Sequence, residues 1–262
     1  GGVLLSKVLR GAFAVLLALG MLPLVPASPV VEEAEALEGT TNYGDFFVIA
    51  HRDGRPGSIT GNVLVGAATD YSWQYGYRER WASSSMFLSK RPVSLLHDWQ
   101  VRLKANLAEP RAGKAPAGVT NLGSNLQIGL AKENDPTTLN GWMGVIVRQW
   151  AQGVGKSCNL SLARMKDAIN TGPVAGPITD FVSQDSYNVI LGYSSANRTL
   201  SITAEGRTLS YSLPTSLGLS PYLFLTETVR WGDAQGPPTD MTCTMEFQSM
   251  TLPHLDPVIE DV

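Results

Sequence analysis

The sequence predicts an all-β domain: an antiparallel two-sheet sandwich. Three observations carry that reading. Apolar and polar residues alternate with a period of two in many short runs, and side chains on a strand alternate faces. Turn-forming residues separate those runs every eight to twelve positions or so, the spacing of sandwich hairpins. Hydrophobic residues make up 44% of the chain and charged ones only 16%. That balance supports a real core and excludes a coiled coil, a solvated helix array or wholesale disorder. At 262 residues, one large domain is the expected organisation, because all-β sandwiches use such lengths as single units.

The N-terminus reads as an address rather than as fold. Lys7 and Arg10 precede an apolar stretch from Gly11 to Leu24. Small-residue exits follow at Val25-Pro26-Ala27 and at Ala34-Glu35-Ala36. A basic start, a short apolar run and such an exit describe a secretory signal peptide, assigned to residues 1–36. Pro23 and Pro26 interrupt the run, which falls short of the ~20 apolar residues of a membrane span. No other stretch approaches a span, so the expected location is secreted or at the cell surface. The domain is expected over 37–252. Residues 253–262, with Pro253 and Pro257, read as a linker or the start of a following domain.

The strands follow in order. Trp99 to Leu107 alternates without error and puts Trp99, Val101, Leu103, Ala105 and Leu107 on the inner face. Tyr187–Tyr193, Thr199–Ala204, Leu209–Leu213 and Met241–Phe247 repeat the pattern. Shorter apolar runs read as central strands: Phe46–Ala50, Met86–Leu88, Gln127–Ala131, Val145–Val147 and Tyr222–Leu225. Ser194 to Asn197 and Glu205-Gly206-Arg207 are turns, the second a hairpin by its spacing. Asp135-Pro136 also reads as a turn. Residues 159–170 fit either a short helix or a strand followed by a turn.

Composition and motifs exclude several function classes. The formal net charge is −3, from 20 basic and 23 acidic residues, and no basic block offers a nucleic-acid footprint. There is no C-x-x-C or H-x-x-x-H spacing, and His51, His97 and His254 lie far apart, so no zinc and no other cofactor is expected. No nucleophile elbow or phosphate-cradling loop occurs. Cys158 and Cys243 both sit in alternating patterns. They either bridge the two sheets as an intrachain disulfide or remain buried thiols.

Aromatic residues suggest what the loops could bind. Tyr71, Trp73, Tyr75, Tyr77 and Trp81 cluster, although their alternation also suits one face of a strand. Trp231-Gly-Asp233 sets an aromatic beside an acid in an expected loop, where binding usually lives. A flat ring stacks on a sugar, and a neighbouring polar group fixes its orientation. Asn159-Leu-Ser161 and Asn197-Arg-Thr199 are glycosylation sequons.

The strand order carries a resemblance. Ser186 to Tyr193, Arg198 to Ile202, Leu209 to Leu213, Tyr222 to Leu225 and Thr242 to Ser249 resemble, in that order, the C-terminal half of legume-type (L-type) lectin domains. Ala82 to Leu88 followed by Asp98 to Leu103 looks like the entry strands of lectin-like modules in bacterial surface adhesins. Gly123 to Leu130 sits where that family has its Asp-Gly-x-Ala-Phe strand. The resemblance implies a concanavalin A-like jelly roll, a noncatalytic carbohydrate-binding function and a glycan or glycoprotein partner. It places Asn125 as a ligand-binding residue, unless Asn125 bonds its own turn backbone.

Three departures accompany it. The family's sugar-orienting Asp is replaced by Asn125 or Leu126. The counterpart of its calcium and manganese strand, Gly144 to Trp150, carries Arg148, so no metal is expected there. The stretch from Thr226 to Asp240 occupies its specificity loop without matching any one sequence. The ligand-binding residues expected are therefore Asn125, Trp231 and Asp233, with no catalytic residue. The paired carboxylates of glycosidases with this fold are absent. The alternative is a structural spacer or protein-binding sandwich that has lost the sugar and metal sites.

Overall fold

The computed structural model describes residues 34–38, 42–53, 57–67, 81–107, 122–151, 155–231 and 242–253. Fifteen strands form among them: β1 (Ala34–Glu38), β2 (Phe47–Asp53), β3 (Ser58–Thr60), β4 (Val63–Ala67), β5 (Trp81–Pro92), β6 (Trp99–Asn106), β7 (Leu122–Ala131), β8 (Gly141–Ala151), β9 (Gly155–Lys166), β10 (Ile169–Phe181), β11 (Ser186–Ser194), β12 (Thr199–Ala204), β13 (Arg207–Ser212), β14 (Tyr222–Trp231) and β15 (Thr242–Pro253). They build the antiparallel two-sheet sandwich that the alternation predicts. One sheet runs β13-β12-β11-β6-β15-β4-β3, with β1 on β15 beyond β4. The other runs β10-β9-β8-β7-β14-β5-β2.

The inner faces meet in one core. β6 supplies Trp99, Val101, Leu103 and Ala105, and β11 supplies Tyr187, Val189, Leu191 and Tyr193. Leu126, Ile128, Leu130, Leu160, Leu162, Leu223 and Leu225 face them from the seven-stranded sheet. Each fully buried Leu or Ile contributes roughly 1.5–3 kcal/mol of transfer free energy. Gly144 of β8 lets the sheets approach: a Cβ there would stand 2.9 Å from the Cβ of Ile202 on β12. The β12–β13 hairpin turns through Glu205 (φ 46°) and Gly206 (φ 76°). Two successive positive φ values give the turn whose twist matches the strands.

The seven-stranded sheet is also covered on its outer face. Met86, Leu88, Met143, Val145, Ala163, Met165 and Phe224 form a second apolar cluster with Leu139 and Ala168. The covering segment is fixed by hydrogen bonds. Ala168 N donates to Leu139 O at 2.8 Å, Asp167 N to Asn140 Oδ1 at 3.2 Å, and Asn140 N to Glu133 Oε2 at 3.1 Å. Burial on both faces explains why Met86–Leu88 and Leu223–Leu225 read as continuous apolar runs rather than as alternating ones.

Several expectations are settled or corrected. Residues 159–170 form strand, turn and strand: β9 ends at Lys166, the chain reverses through Asp167 (φ 49°) and Ala168 (φ 58°), and β10 begins at Ile169. β10 itself, interrupted by Gly172, Pro173, Gly176 and Pro177, pairs with four register shifts, which is why no strand pattern shows there. Asp135 does form a turn, its Oδ1 accepting from Thr137 N at 2.8 Å and Thr137 Oγ1 at 2.6 Å. β15 continues to Pro253, where the sequence suggested an exit from the fold. β1 begins at Ala34, inside the stretch assigned to the leader, and pairs with Ser249–Pro253.

Of the two readings of the cysteines, the structure supports the buried thiol at Cys158 and gives no support to a Cys158–Cys243 bridge. Cys158 is a free, fully buried thiol. It hydrogen-bonds Tyr187 of β11, and burial pushes its pKa up. Cys243 lies on β15, in register with Gly66 of β4, and its side chain is outside the described residues. β15 is two strands from β11 in the facing sheet.

Candidate functional site

The candidate site lies on the outer face of the seven-stranded sheet. At this end β5, β7 and β9 begin and β2, β8 and β14 finish. Leu126 and Ile128 of β7 point into the core at 0% exposure, so the alternation turns Asn125 and Gln127 outward. Asn125 stands opposite Thr228 of β14 and Val147 of β8, and Val147 stands opposite Asn159 of β9. One step along, Gln127 stands opposite Thr226 and Val145, and Val145 opposite Ser161. The amide of Gln127 and the hydroxyls of Thr226 and Ser161 thus share one row across the sheet, and the amides of Asn125 and Asn159 the next, with the valines of β8 between them. Adjacent strands lie ~4.8 Å apart and successive rows roughly 7 Å.

Two atoms in these rows stand out. Asn125 Oδ1 and Thr226 Oγ1 are buried and have no hydrogen-bond partner among the described residues. Thr226 is only 4% exposed. A buried polar group without a partner costs about 1–3 kcal/mol, so such groups ask what satisfies them. Asn125 offers an acceptor, and the Thr226 hydroxyl both donates and accepts. Both oxygens are closed to solvent in the structure, so hydroxyl groups of a ligand reach them only after the covering side chains move.

Arg148 lies on the opposite side of the same sheet. It is 3% exposed and faces the sandwich interior. Its Nη1 donates to Leu107 O at 2.9 Å, its Nη2 to Asp185 Oδ1 at 2.7 Å and its Nε to Ser183 Oγ at 3.3 Å. Leu107 follows β6 and Asp185 precedes β11, so Arg148 ties the sheets together beneath the site. Calcium or manganese, implied by the resemblance, finds no fit here. Among the described residues no group of three or more His, Cys, Asp or Glu side chains could hold a metal ion. The outer rows offer amide and hydroxyl oxygens without a carboxylate, a poor set for a hard dication.

Of the residues expected from sequence, the structure places Asn125 in this face. Trp231 ends β14 opposite Trp81, three residues past Thr228 and so about 10 Å along the strand from the Asn125 row. Its side chain and all of Asp233 lie outside the described residues, as do Tyr71, Trp73, Tyr75 and Tyr77. Gln127, Asn159, Ser161 and Thr226 were not read as site residues. The available signal was polar residues in a strand whose neighbours are uniformly buried: Thr226 sits between Leu225 and Glu227, each at most 2% exposed.

No family model matches this chain, and no curated protein sequence does. Solved structures do match its fold. It is similar to the carbohydrate recognition domain of Emp46p in a potassium-bound form, with 13% identity, a TM-score of 0.51 and coverage of 83% of this chain and 95% of that one. It is similar to an acidic lectin of winged bean complexed with methyl-α-D-galactose, with 12% identity, a TM-score of 0.51 and coverage of 84% and 99%. A legume lectin-like domain from Entamoeba histolytica matches at 12% identity, with a TM-score of 0.50 and coverage of 84% and 97%. At such identities the likeness establishes the legume-lectin jelly roll and nothing finer. Among the described residues no helix is long and apolar enough to cross a membrane.

Proposed function

We propose that this chain is a noncatalytic carbohydrate-binding module of the lectin type, with its sugar site at the Asn125 end of the seven-stranded sheet. The observation that carries the reading is the pair of buried oxygens on Asn125 and Thr226 that have no partner among the described residues. Both face outward on a fold shared with domains named for carbohydrate recognition. In this reading sugar hydroxyls donate to Asn125 Oδ1 and exchange hydrogen bonds with Thr226 Oγ1. Trp231 and Asp233, on the segment leaving β14, supply the stacking ring and a second orienting group. Each site binds weakly, and arrays of copies on a surface compensate.

The module is exported, and cleavage at Val25-Pro26-Ala27 rather than at Ala36 leaves β1 whole. A glycan array probed with the purified, folded chain tests the function. Binding to one family of neutral glycans is expected. Silence across glycan classes favours the second reading, a spacer or protein-binding sandwich. The observation on the side of that reading is the neutral Asn125 or Leu126 where the resembled family carries its sugar-orienting Asp.

A further inference from the structure

We propose that Asn197, and not Asn159, is an acceptor for N-linked glycan. Both head an Asn-x-Ser/Thr sequon, and the fold treats the two very differently. Asn197 lies exposed in the turn Ser195–Arg198 between β11 and β12, and its amide enters no hydrogen bond among the described residues. Thr199, the third residue of the sequon, is half-exposed, and its Oγ1 donates back to Asn197 O at 3.2 Å. The hydroxyl that the sequon requires is therefore held on the acceptor's own loop.

The turn is anchored on both sides of Asn197 without using it. Ser195 N and Oγ each donate to Asp98 Oδ1 at 2.7 Å. Arg198, at φ 50°, donates from Nη2 to Pro214 O at 3.3 Å and Gly218 O at 3.1 Å. A sugar on Asn197 disturbs none of these bonds. Its first residues meet a shallow groove of about 600 Å³ that Asn197 lines with Gln100, Ser194, Thr199, Ser201 and Ser210. That surface is rich in hydroxyls and suits a saccharide.

Asn159 is placed otherwise. It sits within β9 between Cys158 and Leu160, both fully buried, and stands opposite Val147 in the Asn125 row. A glycan there would occupy the proposed binding site. Asn197 lies at the other end of β11, roughly 30 Å of strand away, so its modification leaves that site open.

The transfer balances as follows. Asn197 Nδ2 forms a bond to C1 of the first sugar of a lipid-diphosphate-linked oligosaccharide. The C1–O bond breaks, the lipid diphosphate leaves with the electron pair, and the Nδ2 proton passes to a base of the transferring enzyme. The inference rests on the export reading, and the test separates the two. The full chain is expressed in a eukaryotic secretory cell, once with its own leader and once with a leader known to direct entry. Secreted protein is treated with peptide N-glycosidase and its peptides are mapped by mass.

One glycan is expected, at Asn197, lost in N197Q and in T199A and retained in N159Q. Folded, secreted chain with Asn197 bare, or with the glycan at Asn159, overturns the proposal. Secretion with the substituted leader alone overturns the export reading and leaves the acceptor assignment to be decided by the same peptides.

Discussion

Asn125 on β7 and Thr226 on β14 are diagonal neighbours on the outer face of the seven-stranded sheet: Thr226 stands opposite Gln127, and Asn125 opposite Thr228. Each buries an oxygen without a partner among the described residues. If this face is the proposed sugar site, stability and binding are expected to move in opposite directions. Thr226→Val keeps the side-chain shape and removes the unpaired hydroxyl. Its stability in urea is expected to rise by up to about 1 kcal/mol, while glycan binding weakens. A loss of stability of that size would mean that the hydroxyl already has a partner in the folded chain.

The clamp beneath the site predicts an asymmetry. Arg148 is buried, whereas the side chain of its ion-pair partner Asp185 is 89% exposed. Arg148→Ala leaves Leu107 O without its donor and opens a hole between the sheets, for an expected loss of about 2–4 kcal/mol. Asp185→Ala removes an exposed partner while Leu107 O and Ser183 still hold the guanidinium, and the loss is expected to stay near or below about 1 kcal/mol. Denaturant unfolding of the two variants checks the order.

Cys158 predicts an alkaline limb. Burial raises its pKa in the fold, while the unfolded thiol titrates near ~8.5. Above that pH the unfolded state binds fewer protons, so the contribution is full below the unfolded pKa and is lost as pH rises through the folded one. The stability of the wild-type chain relative to Cys158→Ala is therefore expected to decline above pH ~8.5. A thiol reagent is expected to modify Cys158 only on unfolding. Prompt reaction of the native chain at Cys158 would contradict the buried placement.

Gly144 predicts an overpacked interface. Its Cβ would press on the Ile202 side chain across the core, so Gly144→Ala is expected to cost about 1–3 kcal/mol. Adding Ile202→Val frees space, and a double-mutant cycle is expected to show positive coupling. Purely additive losses would mean that the two residues do not meet.

Much of the framework was legible in the sequence. β6 was legible down to its inward residues: Trp99, Val101, Leu103 and Ala105, with Leu107 just beyond its end, are all at most 4% exposed. The β11–β12–β13 meander was equally plain, because one buried face and one solvated face force a period of two. Strands β5, β8 and β14 lost that period where the second apolar layer covers them, and only their continuous apolar runs remained. β10 was hidden by its prolines, glycines and bulges. Asn125 came from resemblance. Thr226 could not be found that way, because an unpartnered hydroxyl is a property of the packed face and not of a residue type.

The most direct test is to titrate the folded chain, Asn125→Ala and Thr226→Val against the best glycan found on an array, side by side. The sugar-site account predicts that Asn125→Ala loses binding at least tenfold with its unfolding midpoint nearly unchanged, and that Thr226→Val loses binding while gaining stability. Unchanged affinity in both variants, with the fold intact, would contradict it.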